Sequence, residues 1–382
     1  MLSLVALGVI APILASQAAA PADAGARPGR SWHVFFGTEG SRARGIHRAS
    51  FDGESGRLSA AELVAEAGSP GFLALHPALP VLYAVADLTG GPSVAAYRVG
   101  PGGALEALGA SPIGDGGGVH VAVHPSGRFL LTAQYGRGSV ALFPLDAEGR
   151  PGAAQLARHA GGSRVVAQRQ DAPHPHGCFF APDGRFALVP DLGLDGVVIY
   201  RIDAQAPSIE RHGFATSVAG GGPRHLRFTP DGRFIHLLNE LALSVTSYAW
   251  DAESGSARRL ATVATLTEAE KAGESFNSAA EIVVHPSGRF VYTSNRGHDS
   301  ISVFAADPAS GALERIQVQP IRGAFPRHIA LSPDGAWLLA AGAHSDTVSV
   351  HRVDPATGRL TYTTRGVVGV PAPICVLFAA AR

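Results

Sequence analysis

Apolar residues along this chain come in paired runs, each pair hinged on a polar, proline-centred turn. The pattern occurs six times: LALHPALPVLYAVAD (73–87), VAVHPSGRFLLTAQ (121–134), CFFAPDGRFALVPD (178–191), LRFTPDGRFIHLLNE (226–240), IVVHPSGRFVYTSN (282–295) and IALSPDGAWLLAAG (329–342). The hinges are Pro77, Pro125, Pro182, Pro230, Pro286 and Pro333, spaced by 48, 57, 48, 56 and 47 residues. Runs this short, joined by tight turns, predict β-hairpins rather than helices. A further β-rich segment follows each pair, as in GVVIYRID (196–203), LSVTSYAWD (243–251), SISVFAAD (300–307) and TVSVHRVD (347–354). Its alternation of apolar and polar residues predicts a half-buried third strand. Turns such as DPASGALE (307–314) and DPATGRLT (354–361) then lead to a fourth.

A hairpin repeat of this length predicts a β-propeller. The chain ends supply one more unit. WHVFFGTE (32–39) matches the second strand of a repeat, and PAPICVLFA (371–379) matches a first strand with nothing after it. Pairing them closes the ring and removes two open sheet edges. The expected fold is all-β: seven blades of four antiparallel strands, one blade built from both termini, in a single domain over 31–382. The stretch 267–280 is the longest without β character, and is expected as a short helix or a rim loop.

The first 20 residues read as a signal peptide, with an apolar run from Leu2 to Leu14 and small residues at Ala18 and Ala20. Residues 21–30 are rich in Ala, Gly and Pro and read as a flexible lead-in. A periplasmic or secreted bacterial protein is expected, free of the membrane after cleavage, with a cytoplasmic address as the alternative. Acidic and basic residues balance at 31 each, which gives no basic stripe for nucleic acid. Cys178 and Cys375 sit in apolar runs and are expected as buried thiols.

The repeat also says where chemistry belongs. Residues before each first strand and after each second strand lie at one end of the ring. Those positions hold His120, His174, His176, Arg224, His225, Glu281, Arg327 and His328 on one side of the hairpins. On the other they hold Asp87, Gln134, Tyr135, Asp191, Asn239, Glu240, Asn295 and Arg296. The opposite end repeats PDGRF or PSGRF almost unchanged. Polar variety on one axial face predicts a pocket there. No compact metal-binding spacing, nucleophile elbow or phosphate-cradling loop appears, so neither metal nor cofactor is expected.

Four segments carry a family resemblance: APHPHGCFFAPDGRFALVPDLGLDGVVIY (172–200), GGGPRHLRFTPDGRFIHLLNE (220–240), AEIVVHPSGRFVYTSNRGHDSISVF (280–304) and PRHIALSPDGAWLLAA (326–341). The chain resembles the lactonase family with a seven-bladed propeller, which includes propeller-type 6-phosphogluconolactonases and carboxy-cis,cis-muconate cyclase. The resemblance implies a lactone of a sugar acid, or a related carboxylated lactone, as substrate. It places the family's catalytic His, Arg and Glu on His176, Arg224 and Glu240, and a substrate-anion arginine on Arg296. The segment AGAHSD (341–346) departs from the family pattern at a position that bears on substrate choice.

In this scheme Glu240 or His176 acts as general base and Arg224 stabilises the oxyanion. His120, His174, Asp191, His225, Asn239, Glu281, Asn295, Arg296, Arg327 and His328 bind substrate. Export favours an unphosphorylated aldonolactone. A non-catalytic binding propeller and a lactone-forming cycloisomerase are the alternatives, and a monomer is the expected state.

Overall fold

The computed structural model describes residues 31–40 and 44–381. The segments read as signal peptide and lead-in therefore lie outside the described residues. The rest forms seven antiparallel sheets arranged as blades. Six are simple meanders of four strands, running outward from the axis in chain order. The terminal blade runs from Pro373–Ala380 at the axis to Ser31–Thr38 and Gly45–Asp52, and two short segments, Arg57–Leu58 and Glu62–Glu66, share its outer edge. Closure follows the expected pairing, with Val34 opposite Phe378 and Phe36 opposite Val376.

The hairpins form where the paired runs predict them. The second strands are Val81–Leu88, Phe129–Gln134, Phe186–Asp191, Phe234–Asn239, Phe290–Arg296 and Trp337–Gly342. Each P-D/S-G turn places glycine at positive φ, for example Gly127 at 70° and Gly184 at 73°, where a side chain would be strained. The arginine after the turn is architectural. Arg185 reaches Ala252 O at 2.6 Å, and Arg289 reaches Pro355 O at 2.6 Å, each clasping the outer hairpin of the next blade.

The third strands differ from expectation. The first five residues of Gly196–Asp203 are all buried, not alternately so. The reason is packing between blades. Phe186, Leu188 and Ile199 of one blade interlock with Leu226, Ile235 and Leu237 of the next, so both sheet faces are covered. Only the outermost strands are largely exposed. The 267–280 segment holds a single helical turn, Glu268–Lys271, opened by a capping box between Thr267 and Glu270. Cys178 and Cys375 are free, buried thiols.

Candidate active site

Innermost strands start at one end of the axis, and residues at their beginnings surround a cavity of about 160 Å³. His176, Arg224, His225, Arg327 and His328 line it, together with Phe72, Asp87 and Glu39. These residues come from five blades, so ring geometry alone brings them together.

Behind the cavity wall lies Glu240, only 5% exposed. Three guanidinium groups converge on its carboxylate. Arg169 Nη2 donates to Oε1 at 2.7 Å; Arg224 Nε and Arg296 Nη2 stand 3.1 and 3.2 Å from Oε2. Burial alone would raise the Glu240 carboxyl, but Arg296, Arg224 and Arg169 outweigh it and hold it below the ordinary range. Three cations around one carboxylate leave two positive charges uncompensated. Arg224 also donates to Ala280 O, and Arg296 Nη2 to Ala279 O at 3.0 Å. Burial first, and then Arg296, pulls Arg224 down to about 9, which leaves it cationic at neutral pH.

His176 Nε2 lies 3.9 Å from Glu240 Oε2, too far for a hydrogen bond. Burial first, and then Arg224, pushes its pKa well below 6.5. The imidazole is therefore neutral and able to accept a proton.

The cavity floor is a second buried cluster. Glu281, 0% exposed, accepts from His225 Nδ1 at 2.8 Å and from Arg227 Nη2 at 3.0 Å. His328 Nε2 stands 3.3 Å from the same carboxylate. Burial pushes His225 and His328 down to about 4, so the ring nitrogens facing Glu281 belong to neutral imidazoles. His120 packs edge-on against His225, with ring centroids 5.2 Å apart, and against Phe72.

Three expected substrate contacts have other employment. Asn239 Nδ2 donates to Ser244 Oγ and Thr246 Oγ1, and Asn295 Nδ2 donates to Ser300 Oγ and Ser302 Oγ. Asp191 accepts from the backbone of His174 and Leu194 and contacts His159 Nδ1 at 2.6 Å. All three are fully buried inside their blades, where they tie the second strand to its neighbours. His174 lies to one side, stacked on Tyr135 with centroids 4.4 Å apart.

Two site residues escaped the sequence reading. Arg169 sits in the connection between the third and fourth blades, outside the repeat register. Glu39 directly follows the Ser31–Thr38 strand and faces Arg327 at 3.7 Å. Among the described residues no three His, Cys, Asp or Glu side chains are placed to hold a metal ion.

This fold, with an arginine-rich axial pocket, defines a class that the comparisons identify. The family described as "Lactonase, 7-bladed beta-propeller" matches residues 33–378, and the chain belongs to it. A 6-phosphogluconolactonase of Bacillus subtilis is 32% identical over 339 residues, covering 88% of this chain and 95% of the relative. The 6-phosphogluconolactonase of Formosa agariphila is 30% identical, covering 78% and 86%. Among solved structures, a periplasmic gluconolactonase of Pseudomonas aeruginosa superposes with a TM-score of 0.83 at 30% identity, covering 92% of this chain and all of that one. The chain is accordingly a lactonase, an enzyme that opens cyclic esters.

Proposed function

We propose that this lactonase hydrolyses an unphosphorylated aldonolactone at the axial cavity. The observation that carries the reading is Arg224, a cation from an over-charged cluster, lining the same cavity as neutral His176. Water attacks the lactone carbonyl and passes its proton to His176. Arg224 stabilises the tetrahedral oxyanion. Collapse breaks the acyl–oxygen bond, and His176 returns the proton to the departing ring alkoxide, giving the open hydroxy acid. Glu240 is assigned as counter-ion instead of base, because its carboxylate is engaged by three guanidinium groups behind the cavity wall, whereas His176 lines the cavity. It fixes Arg224 and Arg296 in place.

The cavity wall bears on the substrate. Its lining carries two carboxylates, Glu39 and Asp87, beside Arg224 and Arg327. The carboxylates accept from the hydroxyls of a polyhydroxylated ring and would oppose a phosphate dianion placed against them. Gluconolactone should be turned over with a kcat/KM at least tenfold above that for 6-phosphogluconolactone, measured by proton release with the spontaneous rate subtracted. The reverse order would overturn the unphosphorylated assignment, and no turnover of any lactone would favour a binding module. The apolar run at 2–14 supports the same substrate, since an exported enzyme does not meet a phosphorylated cytoplasmic intermediate. Sequencing the mature N-terminus from a periplasmic fraction tests the export.

The pH profile follows from His176. A base must be unprotonated, and burial keeps His176 so to well below pH 6.5. The acid limb of kcat/KM should lie below 6.5. A limb at or above that value would remove His176 from the role.

A further inference from the structure

Beside the cavity stands an aromatic array that lactone hydrolysis itself does not require. Phe325 stacks on His344, with centroids 3.8 Å apart and planes at 11°. Phe276 stacks on Phe325 at 6.1 Å and 19°. Phe276 is 50% exposed, and His344 is also exposed. The Arg296 guanidinium lies over the Phe325 ring at 5.2 Å, which links the array to the Glu240 cluster.

Two features mark the array as built. First, Phe325 puts a large ring in a left-handed slot that recurs around the propeller and is held by Ala372, φ 38°, one blade later. Its counterpart two blades earlier is Gly222. Gly222 O accepts from Glu240 N as Phe325 O accepts from Ala343 N, and each amide donates to an aspartate, Asp195 and Asp299 respectively. Gly222 has φ 64° and Phe325 has φ 62°. A side chain in that left-handed slot costs about 1–2 kcal/mol. Strain of this sort persists where the surroundings hold it, commonly at functional sites. Second, Phe276 lies three residues from Ala279, whose N–H donates to Glu240 O at 3.1 Å. Three residues span at most about 10 Å, so the exposed ring belongs to the segment that packs on the Glu240 backbone, behind the cavity wall. Asn277, next in the chain, anchors the segment, its Nδ2 donating to Lys271 O at 2.9 Å.

We propose that Phe276, Phe325 and His344 form a stacking platform for a second sugar ring, so that the preferred substrates are glycosylated aldonolactones. Aromatic faces attract the polarised C–H face of a pyranose, and exposed Phe276 offers such a face. The inference rests on the aldonolactone reading above. It also accounts for AGAHSD (341–346), whose His344 backs the platform.

The test compares gluconolactone with cellobionolactone and maltobionolactone. Wild-type enzyme should show a higher kcat/KM on at least one disaccharide lactone. Phe276→Ala should lower that value about tenfold, which is 1.36 kcal/mol, while leaving gluconolactone within twofold. Phe276→Trp should retain the preference. Equal losses on both substrate sizes, or no loss on either, would overturn the platform. So would efficient gluconolactone turnover with none on the disaccharides, an outcome that leaves the aldonolactone reading intact. Inactivity on all three would instead count against that underlying reading.

Discussion

Arg224→Met is expected to lower kcat/KM on the preferred lactone by about 10²–10³-fold, the usual effect of deleting one oxyanion donor. Glu240 keeps Arg169 and Arg296 as partners in this variant, so the fold should survive. Circular dichroism and the thermal midpoint should show a folded protein. Arg224→Lys should recover little, because an ammonium cannot hold Ala280 O and face Glu240 while presenting a donor to the substrate. A loss of less than fivefold in the methionine variant would mean that the oxyanion is stabilised elsewhere.

Removal of Glu281 should produce the largest effect on stability. Its carboxylate is fully buried and neutralises Arg227 while accepting from His225. Glu281→Ala leaves that guanidinium with only the Leu226 carbonyl and takes the acceptor from two imidazoles. Breaking a buried ion pair on one side costs about 3–5 kcal/mol, and the thermal midpoint should fall by roughly 5 °C. Glu281→Gln keeps one acceptor oxygen and should fall less. A midpoint within two degrees of wild type for the alanine variant would show that water replaces the carboxylate.

The repeat made most of the ring readable. Proline-centred turns fixed the hairpins, and the unmatched half-units at each end foretold the closure. Resolution ran out at single-residue parity. Successive strand residues face opposite ways, so neighbours Asn239 and Glu240 part company: the first bonds across its hairpin and the second meets three arginines. Asn295 and Arg296 divide in the same manner. Register located the pairs without saying which member turned to the axis. Arg169 was illegible for another reason. Its connection obeys no repeat, and only folding carries it from residue 169 to a carboxylate at 240. Interblade burial of the third strands was missed because alternation in sequence assumes one wet face, and packed blades have none.

Joining the two termini in one blade has a consequence for biosynthesis. The strand that latches the circle, Pro373–Ala380, is made after the other strands of the ring. Every shorter nascent chain presents Ser31–Thr38 as an unpaired edge, open to strand addition by other molecules. Termination anywhere before this strand should therefore yield an aggregation-prone, protease-sensitive product, never a slightly shortened enzyme.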